Sequence, residues 1–414
     1  MTEFKLSFSG GGLRATFFCL GAYRRLVELG IDDKVKLISS VSGGSITAGV
    51  IMQALIDGPF EDTNDFDRRV TTVLKRFGRE NFRASLLRRS IRFNIRPELP
   101  RTRFSRMFPE LLNDYLFNGL MLEDLPEKPL WICNATNLQT LKRFSFSRTQ
   151  MCDERLGKCR NINGISTAEA VAASSAFPMM FEPVKLDVKK REFDGIEDQY
   201  ATLHLTDGGV YDNLGSEEML ERSAPYIILD ASARYKPWET SFKPSYAGRQ
   251  SRIMNVSLDQ VAELRKKLIR KDHSRGVQLI NVETINENAA FQMNYWNSRG
   301  PAINIPAYPS LYADMERMLA SLRTDLDQFH DIEMAMLMWA GAMRLDLGVK
   351  VLFSEEEMPL LKPRKNVPLL ADYTVESISK IKRVLQKGQR RKILRGFFPD
   401  DTNKKRTKVL KKPS

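Results

Sequence analysis

Two short runs of small residues constrain this chain most: Ser9-Gly10-Gly11-Gly12-Leu13-Arg14-Ala15 and Ser39-Ser40-Val41-Ser42-Gly43-Gly44-Ser45. Each follows an apolar stretch that reads as a strand, Phe4–Phe8 and Val35–Val41. Each opens a stretch that reads as a helix, Arg14–Leu29 and Gly43–Leu55. Strand, tight turn and helix, twice in succession, is the start of an α/β fold with a parallel sheet. A serine on a sharp strand-to-helix turn exposes its hydroxyl. A glycine-rich turn just upstream offers backbone N–H groups to a developing oxyanion. The pair therefore points toward serine-based acyl transfer.

The rest of the sheet signal continues to about residue 235. Leu130–Ala135 and Arg143–Ser147 read as strands, and Ser166-Thr167-Ala168-Glu169 reads as a capped helix start leading to Ser175. Pro178 and Pro183 end that element. Ala201–Leu205 and Tyr226–Asp230 are further strands, the first running into Thr206-Asp207-Gly208-Gly209. We expect an α/β core over 1–235 with an Arg-rich helical insertion at about 60–125, a mostly helical part over 236–371, and a basic amphipathic helix and tail over 372–414. Within these, 250–345 and 372–388 read as helical, and the end of the chain, Lys404–Ser414, reads as disordered.

Composition narrows the class. Hydrophobic residues at 42% and charged residues at 28% fit a soluble globular protein. No stretch reaches the roughly 18 apolar residues needed to span a bilayer, and Met334–Met343 reads as a buried helix. Four cysteines, Cys19, Cys133, Cys152 and Cys159, lie mostly in apolar settings and suggest thiols in a reducing cytoplasm. Cys152 and Cys159 bracket a polar loop, but neither a second CxxC nor a nearby histidine supports a metal site. The N-terminus lacks a basic and apolar leader, which also reads as cytoplasmic. The net charge of +13 is unevenly placed. Residues 68–106 carry 13 Lys and Arg against two Glu, and residues 380–414 carry 14 against two Asp, so the remaining body is acidic. Two basic segments on such a body point to an anionic partner.

Ser42 sits at the elbow position, in Ser40-x-Ser42-x-Gly44 with Gly43 next to it. Small neighbours are needed because the turn is strained. A serine hydroxyl needs a base near neutral pH, and the chain has only three histidines. His204 lies in an apolar strand, His273 in the charged run Arg270-Lys271-Asp272-His273, and His330 on a helical segment. None is framed as a catalytic turn, so a Ser-His-Asp triad is poorly supported. A carboxylate can serve instead, and Asp207, between a strand and two glycines, is the candidate. Taken alone, Asp207-Gly208-Gly209 equally describes an ordinary β-turn. Gly10, Gly11 and Gly12 lie at a helix N-terminus, where N–H groups and dipole favour negative charge. A dinucleotide reading of Gly10-x-Gly12-x-x-Ala15 fails, because the next strand ends in Ser40–Gly44 and not in an acidic residue. Arg14, in the first turn of the helix, is a candidate for binding a substrate phosphate.

Gly10-Gly11-Gly12-x-Arg14, Ser40-x-Ser42-x-Gly44 and Asp207-Gly208-Gly209 resemble, in order and spacing, the patatin-like phospholipases. Ala172-Ala173-Ser174-Ser175-Ala176-Phe177-Pro178 through Pro183, and Ala135-Thr136-Asn137-Leu138-Gln139-Thr140, are similar to two further segments of that family. Ser40 stands where the family usually has glycine, and Ala15 replaces the last glycine of its G-x-G-x-x-G. The resemblance covers roughly residues 4–235. It implies a three-layer α/β/α patatin-like sheet with a serine elbow, followed by helical C-terminal additions. It implies a Ser42–Asp207 dyad acting on acyl esters of glycerophospholipids through an acyl-enzyme, an oxyanion hole from Gly10–Gly12, and no metal or cofactor.

A phospholipase meets its substrate at an interface. The mix of Lys382, Arg383, Arg390, Arg391 and Arg395 with Ile381, Leu385, Ile393, Leu394, Phe397 and Phe398 suits peripheral docking on a phospholipid membrane surface. The Arg-rich stretch with Phe82, Leu86, Leu87, Ile91 and Phe93 reads as a lid. Some bacterial relatives respond to nucleotide signals, so a nucleotide activator is the alternative partner. A membrane- or nucleotide-binding effector on a patatin-like body, or a neutral-lipid lipase, are the alternative functions. The oligomeric state is left open.

Overall fold

The structure is a computed structural model, and it describes residues 3–82, 104–178, 180–195, 200–220, 225–232, 246–271, 277–281, 313–324, 326–352 and 375–389. Most of the expected lid, His273, and the tail from residue 390 lie outside the described residues.

The two founding turns form as read. β1 (Phe4–Phe8) is buried at every position, leads through Gly10–Gly12 into α1 (Gly12–Leu29), and is followed by β2 (Val35–Val41) and α2 (Gly43–Ala54). β3 (Leu130–Asn137), β4 (Lys142–Phe146), β5 (Met151–Asp153) and β6 (Gly157–Cys159) follow. Then come β7 (Val184–Asp187), β8 (Thr202–Asp207), β9 (Tyr226–Asp230) and β10 (Val277–Asn281). The strands run in the order β10-β9-β1-β2-β3-β4-β5-β6, with β8 joined to β3 and β7 to β8. The β10-β9-β1-β2-β3 portion is parallel, and the pairings beyond it are antiparallel.

The parallel strands read as apolar runs because helices cover both faces. Alternate residues divide the core in two. Phe4, Leu6, Phe8, Ile38, Ile227 and Leu229 belong to the large cluster that includes residues of α1, α2 and the helix Asp331–Leu352. Leu37, Ile132 and Ile228 face the other way, onto Leu214, Met219 and Ile269. The result is a three-layer α/β/α sandwich.

The C-terminal helical additions share this core. Met334, Met336, Leu337 and Met338 are buried as expected. The helix that carries them crosses α1 at a close approach made by two glycines: a Cβ on Gly21 would overlap the Met338 backbone, and one on Gly341 the Phe18 carbonyl. The region 250–345, expected to be helical, also supplies the edge strand β10. A short apolar run such as Val-Gln-Leu-Ile-Asn has no periodicity that separates strand from helix. The helix Val375–Gln389 forms where the amphipathic pattern places it, but Ile381 and Leu385 join the main core. Val70, Leu74 and Phe77 of the basic segment 68–82 are likewise turned inward. Their neighbours Arg68 and Arg69 pair with Asp65, and Arg79 with Asp331. No helix among the described residues is long and apolar enough to cross a membrane.

Candidate active site

Strand register alone brings Ser42 and Asp207 together. Along β3, Val41 of β2 is opposite Asn134 in a parallel pair, and Asp207 of β8 is opposite Ala135 in an antiparallel pair. The ends of β2 and β8 therefore meet on one edge of β3, facing successive residues about 3.3 Å apart along the strand. Thr136 Oγ1 donates to the Asp207 carbonyl at 2.9 Å and locks that end. A Cβ on Gly208 would lie 3.2 Å from Val41 Cγ1, which shows how closely the two ends approach.

Ser42 has φ 52° and ψ −123°, a backbone conformation that L-residues rarely adopt. Such a position costs on the order of 1–3 kcal/mol and persists only where the surroundings enforce it. Here they do. Gly43 lies against the Gly12 carbonyl and Gly44 against the Phe8 carbonyl, with no room for a side chain at either. Thr16 Oγ1 donates to the Gly43 carbonyl at 2.9 Å, and Thr47 Oγ1 to the Thr16 carbonyl at 2.8 Å, tying α1 to α2. The Ser42 N–H donates to Ser174 Oγ at 2.9 Å.

Ser174 ends a buried line of hydroxyls. Its Oγ is 2.8 Å from Ser45 Oγ, which is 2.9 Å from Ser40 Oγ, which accepts from Trp131 Nε1 at 2.9 Å. Ser40 thus fits the place of a glycine by turning its hydroxyl into this line, beneath the elbow. Ser174 is reached because the helix Thr167–Ser175 starts where the sequence predicts. Ser166 Oγ accepts the Glu169 N–H at 3.1 Å, and Glu169 Oε2 accepts the Ser166 N–H at 2.9 Å. Removing the acceptor by Ser174→Ala leaves a buried N–H unpaired, which costs about 1–3 kcal/mol. The expected result is a melting temperature lowered by several degrees and a kcat about tenfold lower, with KM little changed. Unchanged kcat in a destabilised variant would confine Ser174 to a purely structural part.

Asp207 is buried. Its Oδ1 accepts the Gly209 N–H at 2.7 Å, while Oδ2 is enclosed with no hydrogen-bond partner among the described residues. Burial disfavours the ionised form and pushes the carboxyl from 3.8 up to about 6, against the opposing pull of the Ser42 hydroxyl and the Gly209 N–H. The described histidines are engaged elsewhere. His204 Nδ1 lies 2.6 Å from Gln139 Nε2, and His330 Nδ1 accepts the Ile332 N–H at 3.1 Å at a helix start.

The glycine turn divides its labour. The Gly10 N–H donates to the Asn213 carbonyl at 2.9 Å, so it is committed, which corrects its expected place in an oxyanion hole. Gly10 instead keeps space open, since a Cβ there would lie 3.2 Å from Ser42 Cβ and collide with Asn213. The Gly11 and Gly12 N–H groups make no hydrogen bond among the described residues, and Gly12 opens α1. Two free donors at a helix N-terminus beside a serine can receive an oxyanion. Asn213 itself went unread in the sequence. Its carbonyl holds Gly10, its Nδ2 donates to Ser232 Oγ at 2.9 Å, and its Oδ1 crowds both Gly10 and Gly209.

Arg14 is taken up by backbone carbonyls, contrary to its expected role. It is fully buried, and its guanidinium donates to the Ala231 carbonyl at 2.6 and 2.9 Å, the Ala320 carbonyl at 2.7 Å and the Leu322 carbonyl at 3.1 Å. It staples the glycine turn to the end of β9 and to the turn after the helix Ala313–Ala320. All four cysteines are free thiols, and burial raises Cys133 to about 12.

Two solved structures are similar to this chain at low sequence identity. Human GIVD cytosolic phospholipase A2 is 12% identical over 93% of this chain and 63% of its own, with a TM-score of 0.46. VipD from Legionella pneumophila is 15% identical over 82% of this chain and 67% of its own, with a TM-score of 0.35. The chain thus spans less than two thirds of the human protein's length. No curated protein matches it. The family model for patatin-like phospholipases matches residues 6–220, from β1 through β8 and past Asp207, and the chain belongs to that family.

Proposed function

We propose that the protein hydrolyses acyl esters of glycerophospholipids through a Ser42–Asp207 dyad. The observation that carries this reading is a strained, enforced serine at a strand end that meets the strand end of a buried carboxyl, whose Oδ2 has no hydrogen-bond partner among the described residues. Ser42 Oγ attacks the acyl carbonyl carbon while its proton passes to Asp207. The tetrahedral oxyanion receives the Gly11 and Gly12 N–H groups. Collapse expels the lysophospholipid alkoxide, which takes the proton from Asp207 and leaves an acyl-Ser42 ester. Water then attacks that ester, again losing its proton to Asp207, and the fatty acid departs as Ser42 is reprotonated.

A base must be ionised to act, so the pH profile follows Asp207. With the carboxyl near 6, kcat/KM is expected to fall about tenfold per pH unit below that value and to level off above it. A profile that stays flat down to pH 4.5 would remove Asp207 from the role.

The direct test incubates purified protein with phosphatidylcholine and phosphatidylglycerol vesicles, with a triacylglycerol emulsion, and with an alkyl fluorophosphonate. Fatty acid and lysophospholipid release, with the probe's mass on the Ser42 peptide, is the expected result. Release from triacylglycerol alone would make it a neutral-lipid lipase. Labelling at another serine would overturn the site.

A further inference from the structure

The sequence places the membrane contact in the basic segments, but their described apolar residues are buried in the core. Ile56, Tyr115, Leu138, Leu141 and Met180 are exposed at scattered positions, but among the described residues the longest run of exposed apolar groups on one element lies on the helix Tyr246–Lys271. Tyr246 is 71% exposed, Ile253 60%, Val256 52%, Leu264 58% and Leu268 56%. Their spacings of seven, three, eight and four residues gather them on one face of a helix. A row of large apolar groups in water marks an interaction site.

The opposite face is anchored. Ala262 and Ile269 are buried, and Ile269 packs with Leu214, Met219 and Ile228 beneath the sheet. Lys266 Nζ pairs with the buried Asp230 at 3.0 Å. Arg265 pairs with Glu217, approaches Asp212 at 3.6 Å and stacks over the Tyr211 ring at 5.1 Å. Tyr211 and Asp212 belong to the short helix that starts at Gly209, two residues after Asp207. The helix is thus fixed to the segment that carries the candidate base.

Charge selects the occupant. Arg249 and Lys267 border the apolar row, and apart from Arg265 and Lys266, which pair with carboxylates on the anchored face, the helix carries Arg249, Arg252, Lys267, Arg270 and Lys271 against Asp259 and Glu263. Cations beside inserted apolar groups match an anionic bilayer surface. A second copy of this chain, with the same basic border and a net charge of +13, would be repelled from that face.

We propose that the exposed face of Tyr246–Lys271 docks the protein on an anionic phospholipid surface and presents the Ser42 site to it. The proposal rests on the phospholipid reading above, and binding is therefore measured without turnover. Full-length Ser42→Ala protein is titrated with phosphatidylglycerol vesicles, alone and with Leu264→Asp/Leu268→Asp or Arg249→Glu/Lys267→Glu added. Each pair is expected to weaken vesicle partitioning at least tenfold. The charge-reversal effect should shrink on phosphatidylcholine vesicles and at high salt. In protein with Ser42 intact, the leucine pair should lower hydrolysis of vesicle phospholipid at least tenfold and keep hydrolysis of a soluble p-nitrophenyl ester within twofold. Retained ester hydrolysis also shows that the variant is folded. Unchanged partitioning in both pairs overturns the proposal, as does conversion of a dimer to a monomer by the leucine pair. Vesicle binding through this face by a protein that releases no fatty acid would sink the hydrolase reading and leave the docking surface standing.

Discussion

Ser42→Ala and Asp207→Asn are each expected to lower phospholipid hydrolysis by about 10⁴-fold or more, the scale seen when a member of a nucleophile–base unit is removed. The two variants should then part on stability. Ser42→Ala keeps the buried carboxyl. Asp207→Asn removes a group raised from 3.8 in the unfolded chain to about 6 in the folded one. Between those values the folded protein holds a proton that the unfolded chain has lost, so this group makes stability fall as pH rises from about 4 to 6. Below about 4 both states are protonated and no cost arises. Above 6 the full cost is present, on the order of 3 kcal/mol. Denaturant unfolding at pH 4 and pH 7 checks this. Ser42→Ala should retain the decline across the window, and Asp207→Asn should lose most of it. An equal pH dependence in both would mean that the Asp207 carboxyl is not held at a raised pKa. Loss of activity in Ser42→Ala alone would return the base to another residue.

The sequence discloses the parts of this site that are local. β1, β2 and β9 fall where apolar runs meet glycine, serine or proline, because each strand is short, buried and bounded by residues that turn the chain. Ser42 is legible because the elbow needs small neighbours. Ser166 and Glu169 are legible because a capping box is closed within one turn. What depends on the meeting of distant segments is not written locally. Ser174 supports Ser42 from 132 residues away, and its hydroxyl is one of several in its segment. Arg14 sits beside the glycine turn in sequence, which suggested a substrate contact, yet its acceptors lie 217 to 308 residues further along the chain. The apolar face of Val375–Gln389 looks interfacial from its pattern, because amphipathicity shows that a face is covered and not by what. The same ambiguity hid Tyr246–Lys271, whose apolar row sits inside a strongly charged helix.

Gly12→Ala is expected to cost far more than a methyl group ordinarily does, for two separate reasons. Gly12 has φ +54°, where an L-residue costs about 1–2 kcal/mol. Its missing Cβ would also overlap the Thr324 carbonyl, a backbone atom that has no rotamer to change. Thr324 belongs to the turn that Arg14 clamps through Ala320 and Leu322, so the clash must move either that turn or the glycine loop. Overpacking adds about 1–3 kcal/mol, for a total of about 2–5 kcal/mol. If the loop yields, the Gly11 and Gly12 N–H groups leave their place beside Ser42, and loss of an oxyanion donor lowers kcat by about 10²–10³-fold. Gly164 provides the control. Its φ is +75°, on the same side of the map as Gly12, but a Cβ there meets nothing within 4 Å. Gly164→Ala is expected to show the backbone cost alone, with full activity. Thermal unfolding and kcat of the two variants, measured side by side, separate backbone strain from the contact. If Gly12→Ala loses no more stability than Gly164→Ala and keeps its kcat, the turn after Ala320 does not press on the glycine loop, and the C-terminal part has no hold on the site.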